Sequence, residues 1–69
     1  MARYSFWGTM GMAIGLDRTD DLEDALAKAE NFECEIFDDK LQMFVYQIGE
    51  RGFHFNKDWV LAIEKGVKQ

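Results

Sequence analysis

The chain has 69 residues, 48% of them hydrophobic, and sets 13 acidic against 8 basic side chains for a net charge of −5. That length holds one domain, residues 1–69, and excludes a second, while the apolar fraction excludes a disordered chain. The single cysteine excludes an internal disulfide and a cysteine-based zinc site, and no run approaches the ~18–20 apolar residues of a membrane-spanning helix.

From the N-terminus, Tyr4, Phe6, Met10, Met12, Ile14 and Leu16 fall on even positions, interrupted only by Gly8. Ser5, Thr9, Gly11, Ala13 and Gly15 fall on odd ones, with Trp7 the exception. Alternation of this length predicts one long or bent strand. Its small odd side would let another backbone or a partner approach closely. After Arg3 the same stretch loosely imitates a signal peptide, but its glycines and hydroxyls break up any compact apolar block. With one unpaired thiol, the expected compartment is the cytoplasm.

A helix follows. Asp20 with Glu23 three residues on predicts a capping-box-like start, Thr19 being the competing cap. Leu22, Ala25, Leu26 and Ala29 then follow an i, i+3, i+4, i+7 stripe. Asp20, Asp21, Glu23 and Asp24 in the first turn complement the positive end of the helix dipole. Next, Phe32, Cys34 and Ile36 alternate with Glu33 and Glu35, the pattern of a half-buried strand, and Asp38-Asp39-Lys40 predicts a hairpin turn. Residues 41–48 are apolar on both faces (Leu41, Met43 and Val45 against Phe44, Tyr46 and Ile48), as in a central strand. Gly49-Glu50-Arg51-Gly52 predicts another turn, leading to a short strand at Phe53-His54-Phe55. Asn56 caps a last helix with the stripe Trp59, Val60, Ile63 and Val67, its charges running with the dipole from Asp58 to Lys65 and Lys68.

The order β-α-β-β-β-α implies an α+β fold: a small single sheet of three to four strands with two helices on one face. The first crossover is long enough to make the first two strands parallel, with a right-handed connection. A chain this short buries only ~60% of its unfolded surface, but six Phe, two Trp and two Tyr can carry a small core, and a homodimer would ease the size problem. The second sheet face is left open. Trp7, Phe44 and Tyr46 are expected there, and an exposed apolar patch usually marks an interaction site.

No residue set reads as an active site. Cys34 and His54 are the one thiol and the one imidazole, but Cys34 lies on the apolar side of its strand, where a free cysteine acts as a small buried hydrophobe. Ser5 has no glycine-framed nucleophile turn around it. Asp17, Asp20 and Asp21 offer oxygen ligands without the spacing of a calcium loop, and the glycines at 8, 11 and 15 do not match a phosphate-binding spacing. The expectation is a non-enzyme with no cofactor and no metal.

Charge distribution is the stronger signal. Residues 17–39 hold ten acids against two bases, a local charge of −8, while the rest of the chain carries +3. Ordinary helix capping accounts for half of this block. Glu33, Glu35, Asp38 and Asp39 extend it beyond what capping requires. Such a surface disfavours direct contact with nucleic acid and favours a protein partner with a basic surface.

In size, charge, compact α+β order and lack of an enzymatic signature, the whole chain resembles the small acidic inhibitors encoded by phages, the anti-CRISPR proteins among them. The resemblance rests on profile, because those inhibitors share no motif. It implies a protein-binding inhibitor in the host cytoplasm that occupies a nucleic-acid channel or recruitment surface of a CRISPR effector. The expected contacts are Asp20, Asp21, Glu23, Asp24, Glu33 and Glu35, with Trp7, Phe44 and Tyr46 as aromatic anchors. Residues 21–29 are also similar to the L-E-E-A-L-A helix of some bacterial antitoxins, a pattern shared by many amphipathic helices. The alternatives are a homo-oligomeric adaptor, in which the aromatics form the subunit interface, and an antitoxin-like binder.

Overall fold

A computed structural model describes residues 2–9, 11–12 and 14–67; Met10, Ala13, Lys68 and the side chain of Val67 lie outside the described set. The elements are β1 (Tyr4–Trp7), α1 (Leu22–Phe32), β2 (Glu35–Asp38), β3 (Met43–Gly49), β4 (Gly52–Phe55) and α2 (Lys57–Val67). The strands form one sheet in the order β1-β2-β3-β4, and both helices lie on the same face, as the element order predicts for an α+β fold. Between them and the sheet sits the core: Tyr4, Phe6, Ala25, Ala29, Cys34, Ile36, Val45 and Trp59.

The predicted long strand stops at Trp7. Gly8 donates its N–H to the Met12 carbonyl at 2.5 Å and Gly11 donates to Gly8 at 3.0 Å, so the chain folds into a tight loop. Gly11 sits at φ +78°, a conformation that suits glycine. The even-position pattern survives the loss of the strand: Tyr4 and Phe6 are buried, and Ile14 and Leu16 return to the core margin. Met12 does not return, and is 69% exposed.

This loop also overturns the expected parallel pairing. Thr19 comes back beside Tyr4, with backbone hydrogen bonds of 2.8 and 3.2 Å in both directions. By Thr19 the chain has therefore already made the return journey, before α1 begins. The helix runs alongside β1, and β2 runs back against it, pairing Tyr4 with Asp38 and Trp7 with Glu35 in antiparallel register. The crossover argument fails because the loop, and not the helix, carries the chain back.

At α1 the cap is Asp21, one residue later than predicted; its carboxylate accepts from the Glu23 N–H at 3.0 Å. Thr19 Oγ1 accepts from the Asp21 N–H at 3.1 Å. Ala25 and Ala29 are buried outright and Leu22 and Leu26 flank them, so the predicted stripe is the packed one. Phe32, predicted to open the second strand, is instead the last helical residue and 59% exposed. The helix ends at Glu33, a non-glycine residue in the left-handed region at φ 50°, after which the Cys34 N–H donates back to Ala29 at 3.2 Å.

The β2–β3 pairing contains a bulge. Phe37 faces Phe44, but Ile36 faces Tyr46, which leaves Val45 as the extra residue. Val45 and Tyr46 consequently both lie on the helix side. The carbonyl of Val45 accepts from the Asn56 N–H at 2.9 Å, tying the start of α2 to the bulge. Asn56 caps α2 as predicted, its side chain accepting from the Asp58 N–H at 2.9 Å.

Candidate functional site

The acidic residues divide into those held by the fold and those left outward. Asp20 is exposed and accepts the Arg3 backbone N–H at 2.8 Å. Asp21 is the helix cap described above. Asp24 pairs with Lys28 one turn on at 3.1 Å, and hydrogen bonds from Lys28 and then Thr19 hold its carboxyl below the usual carboxylate range. Glu35 lies on the opposite sheet face and accepts the Ile48 N–H at 3.0 Å, where the β2 backbone ends and leaves that donor without a ladder partner. Glu23, Glu30 and Glu33 are exposed, and none makes an ion pair among the described residues.

Asp38 and Asp39 do not extend this surface as expected. Asp39 pairs with Arg18. Asp38 is fully buried, and its two oxygens take five hydrogen bonds: Arg3 Nε at 3.0 Å and Nη2 at 2.8 Å, Trp59 Nε1 at 2.9 Å, and the N–H groups of Lys40 at 2.9 Å and Leu41 at 3.2 Å. Burial alone pushes this carboxyl up. The hydrogen bonds from Arg3, Trp59 and Leu41, with the guanidinium charge, outweigh burial and hold it below the ordinary range. Sequence reasoning missed the role of Asp38, although its parity with Cys34 and Ile36 already placed it on the inner side of the strand.

The open face carries Ser5 and Trp7 from β1, Glu35 and Phe37 from β2, Phe44 and Gln47 from β3, and His54 from β4. Phe37 and Phe44 meet edge to face at 5.0 Å, and the Trp7 indole N–H donates to Ser5 Oγ at 3.3 Å. Trp7 and Phe44 are therefore together on the expected face. Tyr46 is not. The bulge turns it to the helix side, where it stacks on Phe53 at 5.3 Å and meets Phe55 at 5.2 Å.

Cys34 and His54 are not brought together. The thiol is 1% exposed in the core under α1, and burial pushes its pKa up. The imidazole lies on the other sheet face, over Gly49, where an added Cβ would stand 2.6 Å from His54 Cε1. Among the described residues no three His, Cys, Asp or Glu side chains stand close enough to hold a metal ion, and no helix is long and apolar enough to cross a membrane. Among the described residues, a polar hollow lies beside Arg3, Arg18 and Asp39, and a more apolar one lies between α2, Leu22 at the start of α1, and the Arg3–Tyr4 and Lys40–Leu41 segments. No protein-family model, curated protein or solved structure matches the chain.

Proposed function

We propose that this chain is a protein-binding inhibitor without catalytic activity, whose acidic α1 surface engages a basic, nucleic-acid-handling partner such as a CRISPR effector complex. One observation carries the reading. From Asp20 to Glu33 the outer side of α1 offers Asp20, Asp21, Glu23, Glu30 and Glu33 to solvent, while the one base of that helix, Lys28, is already engaged by Asp24. At about 1.5 Å per helical residue these charges form a line roughly 15–20 Å long. Carboxylates so spaced offer a partner's Lys and Arg what a phosphate backbone would.

The test reverses two charges that neither cap nor pair, Glu23→Lys with Glu30→Lys, and measures association with a partner captured from lysate by the immobilised chain. The reversal should slow association and flatten its salt dependence, since exposed charges steer encounter and are screened over ~8–10 Å. Lys57→Glu with Lys65→Glu on α2 is the control and should leave binding nearly unchanged. Salt-independent affinity, or equal effects from both pairs, would sink this reading.

A second reading has its own observation: Trp7, Phe37 and Phe44 cluster on a sheet face that neither helix covers. That arrangement favours a homo-oligomeric adaptor with the aromatics at the subunit interface. Sedimentation over a hundredfold concentration range separates the two readings. A monomer throughout removes the second.

A further inference from the structure

We propose that the cleft between α2, Leu22 at the start of α1 and the Lys40–Leu41 turn binds a small amphipathic carboxylate: an apolar chain or ring carrying one anionic head. The cleft has a volume of about 590 Å³, within the ~300–1,000 Å³ range of small-molecule sites. It exists because of the residues α2 turns inward. Trp59, Ala62, Ile63 and Gly66 follow i, i+3, i+4, i+7 and all line it, with Leu22 of α1 on the far wall. Trp59 is 4% exposed, but Ala62 and Gly66 further along the stripe bring almost no side chain to the cleft.

Neither backbone nor packing requires that glycine. Gly66 does not sit at positive φ, and a Cβ added there would meet no atom within 4 Å. Glycine disfavours a helix relative to alanine, so its effect here is to keep the cleft open. The polar groups lining the cleft suit a carboxylate. Tyr4, whose side chain carries a hydroxyl, also lines the cleft. An ammonium group comes from Lys40, whose side chain makes no ion pair among the described residues. Arg3 is also at the wall, but its charge is already met by Asp38 at 2.8 Å. Lys40, a cation without an ion pair among the described residues, and the Tyr4 hydroxyl match a single-charge head with two oxygens, and the net charge of −5 disfavours a dianion.

The experiment titrates the full, ¹⁵N-labelled chain with decanoate below its micelle-forming concentration, alongside acetate and decanol. Decanoate should give saturable shifts at the Trp59 indole N–H and the Leu41 and Ile63 amides. The Trp7 indole, on the opposite face, should stay still. Acetate should move none of them, and decanol should bind more weakly than decanoate. Gly66→Leu should weaken decanoate at least tenfold with the melting temperature unchanged or raised; Ala62→Leu is the second blocking variant should the first not fold. Lys40→Gln should weaken decanoate severalfold and leave decanol unchanged. The proposal is overturned by non-saturating shifts, by shifts spread to Trp7, by a folded blocking variant that binds as tightly, or by equal affinity for decanoate and decanol.

Discussion

Asp38 joins three parts of the molecule through one carboxylate: the N-terminal strand through Arg3, the last helix through Trp59, and the β2–β3 turn through two backbone N–H groups. Asp38→Asn removes the charge and turns an amide NH2 toward groups that all donate, leaving buried N–H groups without an acceptor, so it should lower stability by about 3–5 kcal/mol in a denaturant melt. In a domain with roughly 5 kcal/mol in total, that variant sits at the edge of folding. The pH dependence has a definite sign. The folded carboxyl lies below its ordinary value, so its contribution is complete above the unfolded pKa of about 3.9 and is lost as pH falls through the folded pKa. Arg3→Met inverts this, because a buried Asp38 without its guanidinium is raised by burial and gains from protonation. The stability gap between wild type and Arg3→Met should narrow between pH 7 and pH 3.5; a constant gap would mean that Asp38 is not charged in the core. For Cys34 the expectation is slow labelling by a thiol reagent in the native state and fast labelling on unfolding, since burial both shields the sulfur and suppresses the thiolate.

The end of α1 shows what an element inherits from a single position. Glu33 holds a left-handed conformation that side chains other than glycine adopt at a cost of about 1 kcal/mol. Glu33→Gly should therefore raise stability by up to about 1 kcal/mol in a thermal or denaturant melt, part of the gain being offset in the unfolded chain. Element order was legible in the sequence because the helices announced themselves by a period of 3.6, the first two strands by a period of 2, and the last two by an apolar run and a glycine-framed turn. Three details were not. The long strand gave way to a loop because alternation records which side chains return to the core, and a loop closed by Gly8 and Gly11 returns Ile14 and Leu16 just as well. The parallel pairing failed for the same reason. Tyr46 was misplaced because one inserted residue, Val45, reverses every face assignment beyond it, and a bulge leaves no mark on a period-two pattern of uniformly apolar residues.

At the scale of the whole molecule, the acidic block was visible as a run of letters, but its continuity was not real in space. The fold takes Asp38 inward, gives Asp39 to Arg18 and sends Glu35 to the other sheet face, leaving the α1 exterior as the negative surface. The cleft was also half visible: Ala62 and Gly66 stand on the inward stripe of the last helix, though only the structure places Leu22 across from them. The antiparallel chain path has a kinetic consequence. β2, β3 and β4 each pair with a sequence neighbour, whereas β1 reaches β2 only after more than twenty residues of intervening loop and helix. Closing that long segment carries an entropic cost that the hairpins avoid, so the C-terminal half should form the nucleus and the first strand should dock after the barrier. Phe6→Leu, in the core of that strand, should then steepen neither arm of a chevron; it should raise the unfolding rate and leave the refolding rate nearly unchanged, whereas Ile36→Val should slow refolding. A protein built this way should shed its N-terminal strand first when stressed, with the Arg3–Asp38 pair as the latch that sets how often it does so.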